Sequence, residues 1–335
     1  MDTHSPQAAT SSFAEIPLID LAPLKDGRQA SRSAVAAEIC KACESVGFLY
    51  LANHGIAASL MDDMFGVARQ FFALPLEEKM PLKLGAFSGF RGYLPAGVEG
   101  GTMAGNRKEV FQIINEQADD GAGTLDPMWT QSNLWPASFP TLRKVMLQYL
   151  ADVERLSLTL LQLFAIGLEV PETTFSSRFN SPINMLRLLH YPPQAPTDKA
   201  IGSQPHTDSG ALTILAQDDA GGLESVDDLG QWSQVKPIKN TLVVNLGEML
   251  KLWSDGRFRA TPHRVVNASG TDRISIPFFA SPDIPTLIQP VIRAQTRKDE
   301  IQLVGHLERG TPKTSGEIMS NSWHRLWGGA KPASY

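Results

Sequence analysis

The stretch QPHTDSGALTIL, residues 204–215, places two metal-binding side chains directly before an apolar run of strand character. Alternate residues of a β-strand project to the same face, so His206 and Asp208 point together while the threonine between them points away. Another histidine, His263, lies much later in a short segment that ends in β-branched residues. A closed or sandwich-like β architecture would fold that segment back beside the first. Two imidazoles and one carboxylate leave metal positions open, which is typical of non-haem Fe(II) chemistry.

The segment Arg273-Ile274-Ser275 repeats this i, i+2 spacing ten residues beyond His263. One strand can therefore present the Arg273 guanidinium and the Ser275 hydroxyl to the same cavity. Arginine is suited to a two-point grip on a carboxylate, and a neighbouring hydroxyl adds a further hydrogen bond. Each motif alone is common in proteins, so the inference rests on their conjunction. Together they predict a metal site beside a pocket for a carboxylate-bearing co-substrate.

The order and spacing of these motifs resemble the isopenicillin N synthase-like branch of the Fe(II)/2-oxoglutarate-dependent oxygenases. The resemblance covers roughly residues 16–325, nearly the whole chain. In the second half it rests on QPHTDSGALTIL (204–215), GGLE (221–224), VVNLGE (243–248), WSDGRF (253–258) and TPHRV (261–265). Upstream it rests on IPLIDL (16–21), GFLYLANHG (47–55) and RGY (91–93).

The resemblance implies an enzyme that uses Fe(II), 2-oxoglutarate and O2 to oxidise a small organic molecule, with release of succinate and CO2. Hydroxylation is the commonest outcome in the family, and desaturation or cyclisation are further ones. The implied iron ligands are His206, Asp208 and His263. Arg273 and Ser275 would hold the distal carboxylate of 2-oxoglutarate, and Tyr191 resembles the tyrosine that often assists them.

Three positions depart from the family pattern. Many relatives have asparagine where this chain has Leu189, so one polar contact near the co-substrate is missing or is supplied elsewhere. Glu248 and Asp255 stand where relatives often have aspartate and asparagine, at positions that resemble turn and support sites. None of these changes removes a metal ligand. Asp208 also argues against the halogenase variant, in which a small residue replaces the carboxylate.

Composition limits the classes of partner. The chain has 335 residues, of which 42% are hydrophobic and 19% charged, as is ordinary for a soluble protein with a substantial core. Its net charge of -5 gives no general attraction to nucleic acid or anionic membranes. Residues 1–12 lack the features of a secretory signal, and no stretch approaches the roughly 20 apolar residues that span a bilayer. We expect a cytoplasmic protein with a small-molecule substrate and neither nucleic acid nor membrane as partner; the oligomeric state stays open.

Hydrophobic spacing predicts an α+β, mainly β fold, with a double-stranded β-helix (jelly-roll) core wrapped by N-terminal and central helices. Helices are expected over residues 31–46, 60–74 and 137–168. The motif Cys40-Lys41-Ala42-Cys43 falls in the first of them, which favours structural cysteines over a redox or zinc site. The predicted regions are a flexible N-terminus (1–15), an N-terminal oxygenase region (16–120), a helical buttress (121–180), the catalytic jelly roll (181–290) and a C-terminal region that includes a candidate lid (291–335).

Substrate contacts are the least determined part of the site. The candidates are Phe90, Arg91, Tyr93 and Phe279. The first three lie in the glycine-rich segment 83–107, which is expected to be a loop near the cavity mouth, and Arg91 is equally suited to anchoring that loop. Phe279 shares a strand face with Arg273 by period-two counting. Trp323 and Trp327 are candidate lid residues.

Several alternatives remain open from the sequence. In an oxidase like isopenicillin N synthase itself, Arg273 and Ser275 would grip a substrate carboxylate and no 2-oxoglutarate would be needed. An ethylene-forming variant would divert 2-oxoglutarate to ethylene. A ligand-binding or sensor protein would keep the fold without turnover, although the intact triad disfavours it. A zinc hydrolase leaves Arg273 and Ser275 unexplained, and the chain has no H-E-x-x-H motif.

Overall fold

The computed structural model describes residues 15–85, 89–99, 107–116, 127–193, 201–227, 229–267, 270–292 and 312–326. The strands are β1 (Leu18–Asp20), β2 (Phe48–Ala52), β3 (Gly92–Leu94), β4 (Glu109–Ile114), β5 (Met185–Tyr191), β6 (Ser203–His206), β7 (Leu212–Gln217), β8 (Leu223–Val226), β9 (Trp232–Gln234), β10 (Leu242–Leu246), β11 (His263–Val265), β12 (Arg273–Ala280), β13 (Leu287–Ile288) and β14 (Lys313–Thr314). The helices are α1 (Gln29–Ser45), α2 (Ala58–Ala73), α3 (Leu76–Lys79), α4 (Pro127–Thr130), α5 (Pro140–Gly167), α6 (Thr173–Ser176), α7 (Glu248–Trp253) and α8 (Ser315–Leu326).

Two sheets form the β core. The large sheet has eight strands in the order β1-β2-β10-β7-β12-β5-β4-β3, and the small sheet has four in the order β6-β11-β8-β9. All neighbouring strands of these sheets run antiparallel, apart from the parallel pair β1 and β2. From β5 to β12 the chain crosses repeatedly between the two sheets, as in a jelly roll. The predicted fold class is therefore confirmed.

One face of the large sheet packs against the helices. On β12, Ile274, Ile276 and Phe278 are buried in this helix-side core, so Arg273 and Ser275 point to the opposite face. Helix α5 contacts β7 and β12, α2 contacts β12, and α1 contacts β2. Apolar residues at three- and four-residue spacing on these helices cover the sheet and remove its side chains from water.

The other face of the large sheet looks toward the small sheet, and we call the space between them the barrel interior. A second apolar cluster partly fills it. Its buried members are Ile16, Phe48, Tyr50, Leu94, Val110, Leu189, Tyr191, Leu215, Leu223, Val235, Val243 and Val265. Because side chains alternate along each strand, these positions identify which residues of each strand face the interior.

Helices α1, α2 and α5 occupy the segments predicted to be helical, with ends that differ by a few residues. The segment 83–107 is only partly a loop, because β3 lies within it and pairs with β4 at the edge of the large sheet. Four of the eight strands of that sheet come from before residue 120, so the N-terminal region builds half of it. Residues 1–14 and most of 291–335 lie outside the described residues.

Both cysteines lie within α1 and are buried, which confirms the helical setting predicted for the C-x-x-C motif. Burial raises the pKa of the Cys40 thiol to about 12 and raises that of Cys43 as well. Protonated thiols are poor nucleophiles and poor metal ligands. Among the described residues, none of the helices has both the length and the apolar character needed to cross a membrane.

Candidate metal centre

Three predicted ligand side chains meet in the barrel interior. His206 ends β6 and stands opposite His263, which begins β11, while Asp208 follows two residues after β6 ends. The Nε2 atom of each histidine lies 3.7 Å from Oδ1 of Asp208. Ligand atoms of the three residues all lie within 4.8 Å of one another. Among the described residues, this is the group of His, Cys, Asp and Glu side chains that could hold a metal ion.

Hydrogen bonds at the outer atoms orient these side chains. Nδ1 of His206 lies 2.7 Å from the carbonyl of Gln204, and Nδ1 of His263 lies 3.2 Å from the carbonyl of Thr261. Each carbonyl accepts the Nδ1 proton, so the Nε2 lone pairs are free to face the centre. Such outer partners fix the tautomer of a metal-binding histidine.

Hydrogen bonds to its outer oxygen also orient the side chain of Asp208. Its Oδ2 atom accepts hydrogen bonds from the hydroxyl of Thr213 at 2.5 Å and from the amide of Asn245 at 2.7 Å. Oδ1 is thereby left to face the two imidazoles. Thr213 and Asn245 were assigned no role from the sequence, although both occur within the quoted motifs; their partnership with Asp208 emerges only when β7 and β10 pair.

The electrostatics of the centre favour a neutral His206 beside an ionised Asp208. Burial, with His263 close by, lowers the pKa of His206 to about 4. Burial alone would raise the pKa of Asp208, but the two imidazoles and the bonds from Thr213 and Asn245 outweigh it and lower that pKa. At neutral pH, His206 is therefore uncharged and Asp208 is ionised, as metal binding requires.

The backbone behind Asp208 has no room for side chains. A Cβ on Gly247 would lie 2.1 Å from the carbonyl oxygen of Gly210, well inside van der Waals contact. The backbone N–H of Glu248 donates to the carbonyl of Asp208 at 2.8 Å. The chain at the start of α7 thus supports the loop that carries the carboxylate, consistent with the support role expected for position 248.

Arg273, Ser275 and Tyr191 form a second group in the barrel interior. Arg273 stands opposite Tyr191 in the β12–β5 ladder, and its guanidinium carbon lies 4.7 Å from the centre of the Tyr191 ring. Its Nη1 donates to Ser275 Oγ at 3.1 Å, and its Nε donates to the carbonyl of Gly221. Arg273 is 1% exposed, and no carboxylate of the described residues forms an ion pair with it. A buried guanidinium without a counter-ion is suited to binding an anionic ligand.

Leu189 completes the wall beside this group. It is buried in the apolar cluster of the interior and stands opposite Ser275 in the β5–β12 ladder. Position 189 therefore presents an apolar side chain beside Ser275.

The four candidate substrate contacts have different surroundings in the structure. Phe279 stands opposite Thr213, which places it on the interior face, and it is partly exposed. Phe90 has a left-handed backbone conformation (φ 64°) and packs edge-on against Trp323 at 4.6 Å between ring centres. These two aromatic residues therefore stay candidates for contact with substrate.

Arg91 and Tyr93 have other surroundings. The Arg91 guanidinium donates to four backbone carbonyls, those of Gly89, Met128, Asn115 and Trp129, so it anchors the loop. Tyr93 belongs to the helix-side core, and its hydroxyl donates to Glu109 at 2.5 Å. The expected approach of Tyr93 to the site is wrong, because pairing of β3 with β4 turns its ring to the helix side.

The candidate lid is described in part. Trp323, on α8, packs against Phe90 and lies 5.4 Å from the ring centre of Trp129. The hydroxyls of Ser322 and Ser209 are 2.7 Å apart, which links α8 to the residue directly after Asp208. Trp327 lies outside the described residues.

A buried ionic cluster in the barrel interior was missed from the sequence. Glu99 forms ion pairs with Lys108 at 2.9 Å and with Arg187 at 2.6 Å. Period-two counting back from Tyr191 would have placed Arg187 on the interior face. No local signal identifies its partner, because Glu99 precedes Arg187 by 88 residues.

Comparison with known proteins agrees with this geometry. Residues 16–138 match the profile of the N-terminal region described as "non-haem dioxygenase in morphine synthesis", and residues 182–282 match the 2OG-Fe(II) oxygenase superfamily. The chain is 35% identical to homoarginine-6-hydroxylase 2-ODD-233 of Oryza sativa subsp. japonica, over 84% of this chain and 90% of that protein. It is 34% identical to the 2-oxoglutarate-dependent dioxygenase citB of Monascus ruber, over 88% and 93%.

Solved structures give the same result. A full-length protein of Neurospora crassa, solved in complex with alpha-KG and thymine, superposes with a TM-score of 0.76 at 28% identity, covering 93% of this chain and 96% of that one. A putative 2OG-Fe(II) oxygenase family protein from Caulobacter crescentus gives a TM-score of 0.78 at 26% identity, covering 94% and 100%. The chain belongs to the 2OG-Fe(II) oxygenase superfamily.

Within that superfamily the chain is an Fe(II)- and 2-oxoglutarate-dependent dioxygenase, with O2 as the other co-substrate. The predictions of the family, the enzyme class and the cofactors are confirmed. The oxidase that uses no 2-oxoglutarate and the protein without turnover are thereby disfavoured, since the related proteins carry the names of 2-oxoglutarate-dependent dioxygenases and hydroxylases.

Proposed function

We propose that His206, Asp208 and His263 hold the catalytic Fe(II), and that Arg273, Ser275 and Tyr191 hold the distal carboxylate of 2-oxoglutarate. The enzyme then oxidises a small organic molecule, with hydroxylation as the principal outcome. One observation carries the proposal: three lone-pair donors converge on one point, and every other polar atom of the three side chains has a hydrogen-bond partner elsewhere.

The donor set suits the metal. Two imidazoles and one carboxylate on one side of an ion form the arrangement used by non-haem Fe(II) oxygenases, which need the opposite side open for ligands. Nδ1 of each histidine donates to a backbone carbonyl, so in the neutral ring Nε2 carries the lone pair that faces Oδ1 of Asp208. Atoms with facing lone pairs 3.7 Å apart repel one another unless a cation joins them.

When bound, the iron supplies activation of O2 coupled to the oxidative decarboxylation of 2-oxoglutarate. The chain provides positioning. Arg273 fixes one end of the co-substrate through a charged hydrogen bond, with Ser275 beside it. Thr213 and Asn245 keep Asp208 in a single orientation, so one of its oxygens faces the metal.

A small-molecule substrate is supported by the position of the metal centre between the two sheets. The metal centre lies between two sheets whose facing side chains are mostly buried. The relatives described above act on, or are solved with, small molecules such as homoarginine and thymine. The side chain of His206 is 42% exposed, so the centre is accessible from the β6 side, while Asp208 and His263 on its other sides are buried.

Binding of Fe(II) under anaerobic conditions, measured by equilibrium dialysis, tests the ligand assignment. Asp208→Ala should lower Fe(II) affinity by more than about 100-fold, since even the outer partners of metal ligands are each worth about 10- to 100-fold. Asp152→Ala is the matched control, because Asp152 pairs with the exposed Arg155 on the solvent side of α5. Unchanged Fe(II) affinity in Asp208→Ala would contradict the assignment.

A further inference from the structure

The buried ionic cluster in the barrel interior is not used by the metal or by 2-oxoglutarate. It consists of Glu99, Lys108 and Arg187, which are 3%, 5% and 8% exposed. Removing three charges from water is costly before their mutual attraction is counted. A buried cluster whose charges do not balance among the residues around it is a candidate site for a charged ligand.

The cluster lies beside the proposed 2-oxoglutarate pocket. Arg187, Leu189 and Tyr191 share one face of β5, because they occupy alternate positions. Nζ of Lys108 lies 5.9 Å from the centre of the Tyr191 ring and donates to Ser203 Oγ at 3.3 Å. Ser203 begins β6, the strand that ends at the proposed iron ligand His206. The cluster therefore lies on the interior face of the large sheet, which also carries the proposed co-substrate group and looks toward the metal centre.

The cluster is incomplete in charge and in hydrogen bonding. Lys108 and Arg187 share the single carboxylate of Glu99, and no other acidic residue of the described chain pairs with either cation. Glu99 is firmly ionised: burial would raise its pKa, but Arg187 and Lys108 lower it to about 2. Among the residues that the structure describes, one buried positive charge therefore has no counter-ion, which is costly unless a ligand supplies one.

Two buried polar atoms at the same place lack partners. Nε of Arg187 and Oε1 of Gln112 make no hydrogen bond among the residues that the structure describes. Gln112 is 0% exposed and stands directly opposite Arg187 in the β4–β5 ladder, on the same face. Its Nε2 donates to the backbone carbonyl of Phe90, one of the two remaining aromatic candidates for substrate contact. Buried polar atoms are normally paired, so these two indicate room for a polar ligand.

We propose that the substrate carries a carboxylate, and that Arg187 and Lys108 bind it as the specificity determinants of the enzyme. This inference rests on the proposed function, since it takes the metal centre as the place of reaction. Arg187 offers its Nε and a terminal nitrogen as adjacent donors, which match the two oxygens of a carboxylate. The substrate carboxylate would balance the excess positive charge that Glu99 leaves.

The carboxylate belongs to the substrate and not to 2-oxoglutarate. In the large sheet β5 lies between β12, which carries Arg273, and β4, which Lys108 precedes. Arg273 stands opposite Tyr191, and Arg187 lies four residues further along β5, a distance of about 13 Å at the usual rise of a strand. 2-Oxoglutarate is a five-carbon diacid, and when it is anchored at Arg273 and chelates the metal it does not extend to Arg187. The Arg187 end of β5 can therefore bind a different molecule.

The test on the unmodified enzyme uses matched pairs of compounds. Small aliphatic, aromatic and amino-acid-derived carboxylic acids are compared with their own primary amides as stimulators of succinate release. Acids should stimulate, and for the best acid kcat/KM should exceed that of its amide by at least about tenfold, the value of one charged hydrogen bond. Stimulation by amides as well as by acids, or by none of the acids, would overturn the proposal.

Variants then assign the preference to residues. Arg187→Met should lower kcat/KM for the best acid by at least about tenfold, mainly through KM, and leave the amide within about twofold. Arg187→Lys should restore part of the preference, which a purely structural role for Arg187 would not produce. Arg155→Met removes an exposed arginine and is the matched control. An equal loss for acid and amide in Arg187→Met would contradict the assignment.

A parallel titration with 2-oxoglutarate separates this inference from the proposed function. In Arg187→Met the 2-oxoglutarate concentration at half-saturation of the Fe(II)-loaded protein should match that of the wild type. If it rises about tenfold, the cluster binds the co-substrate and the inference is wrong while the metal site stands. If the wild-type protein binds no 2-oxoglutarate at all, the proposed function fails first.

Discussion

Two buried ionic clusters lie on opposite faces of the large sheet, and only one of them is complete. On the helix side, Glu109 accepts from Lys79 and Tyr93 at one oxygen and contacts His190 at the other. In the barrel interior, Glu99 binds Lys108 and Arg187, yet among the described residues one cation remains unbalanced and an arginine nitrogen is unpartnered.

The difference separates charge that stabilises the fold from charge that awaits a ligand. In the helix-side cluster, every polar atom of Glu109, Lys79 and Tyr93 that is buried has a partner among the described residues. A satisfied network of this kind stiffens the packing around it. The interior cluster also centres on one buried glutamate, but among the described residues that glutamate faces two cations, and the cluster lies on the sheet face that looks toward the metal centre. Variants that remove equivalent atoms from the two clusters should therefore have different effects.

The largest difference is expected when one cation is removed from each cluster. Lys79→Met should lower the free energy of unfolding of the metal-free protein by about 3 kcal/mol, because it breaks a buried ion pair and leaves the Phe72 carbonyl without its donor. Arg187→Met should change it by less than about 1 kcal/mol, because Glu99 and Lys108 remain as a neutral pair. Urea denaturation of both variants measures this, and equal losses would remove the distinction between the clusters.

The helix-side cluster should also give a pH dependence of stability. Burial would raise the pKa of Glu109, but bonds from His190, Lys79 and Tyr93 lower it to about 2. The ionised carboxylate therefore stabilises the fold above its unfolded pKa of 4.5, and this contribution is lost as the pH falls from about 4.5 toward 2. His190 acts in the opposite sense: burial lowers its pKa, but Glu109 and Asp272 outweigh burial and raise it. Its contribution is full below its ordinary pKa of 6.5 and is lost as the pH rises through the raised value.

Glu109→Gln should thus cost on the order of 2 kcal/mol at pH 6, and the difference from wild type should shrink as the pH falls below 4.5. Urea denaturation between about pH 3.5 and about pH 8, in steps of about half a unit, follows both limbs of this dependence. Glu44→Gln is the control, since Glu44 and its partner Arg257 are each about 40% exposed and such surface pairs contribute about 0 to 1 kcal/mol. A loss that is the same at every pH would show that Glu109 acts through packing alone.

A smaller effect is expected from the support of the metal centre. Thr213→Val keeps the shape of the side chain and removes the hydroxyl that donates to Asp208. Fe(II) affinity should fall about tenfold, at the lower end of the range for outer partners of metal ligands, because Asn245 still holds the same oxygen. Anaerobic dialysis measures the change. Thr159→Val on the outer face of α5 should leave the affinity as it is, since Thr159 bonds to its own helix.

The sequence predicted those parts of the site that depend on local periodicity. His206 and Asp208 are two residues apart, as are Arg273 and Ser275, and alternation along a strand is enough to place each pair on one face. The helices α2 and α5 followed from apolar spacing in the same way. The partners that complete the site depend on strand pairing, which brings Asn245 beside Asp208 across 37 residues. No local pattern contains that information.

Tyr93 and Arg187 show where local patterns mislead or carry no signal. Glycines around Tyr93 predicted a loop near the cavity, but the pairing of β3 with β4 sets the phase of the strand and turns Tyr93 to the helices. Alternation along β5 places Arg187 on the same face as Tyr191, but it does not show that Arg187 belongs to an ionic cluster. That cluster forms only when Glu99 and Lys108 are buried next to it. Burial of charge is a property of the assembled sheets, and a sequence of ordinary composition does not reveal it.

In the proposed function, Arg273 holds 2-oxoglutarate next to an iron bound by His206, Asp208 and His263. Anaerobic titration of the Fe(II)-loaded protein with 2-oxoglutarate, followed by the weak visible metal-to-ligand charge-transfer band, tests it directly. We predict a saturable band in the wild type and a half-saturation concentration about 10- to 100-fold higher in Arg273→Ala, from the loss of a charged hydrogen bond. Bound iron without a band, or a band with the same half-saturation in Arg273→Ala, would contradict it.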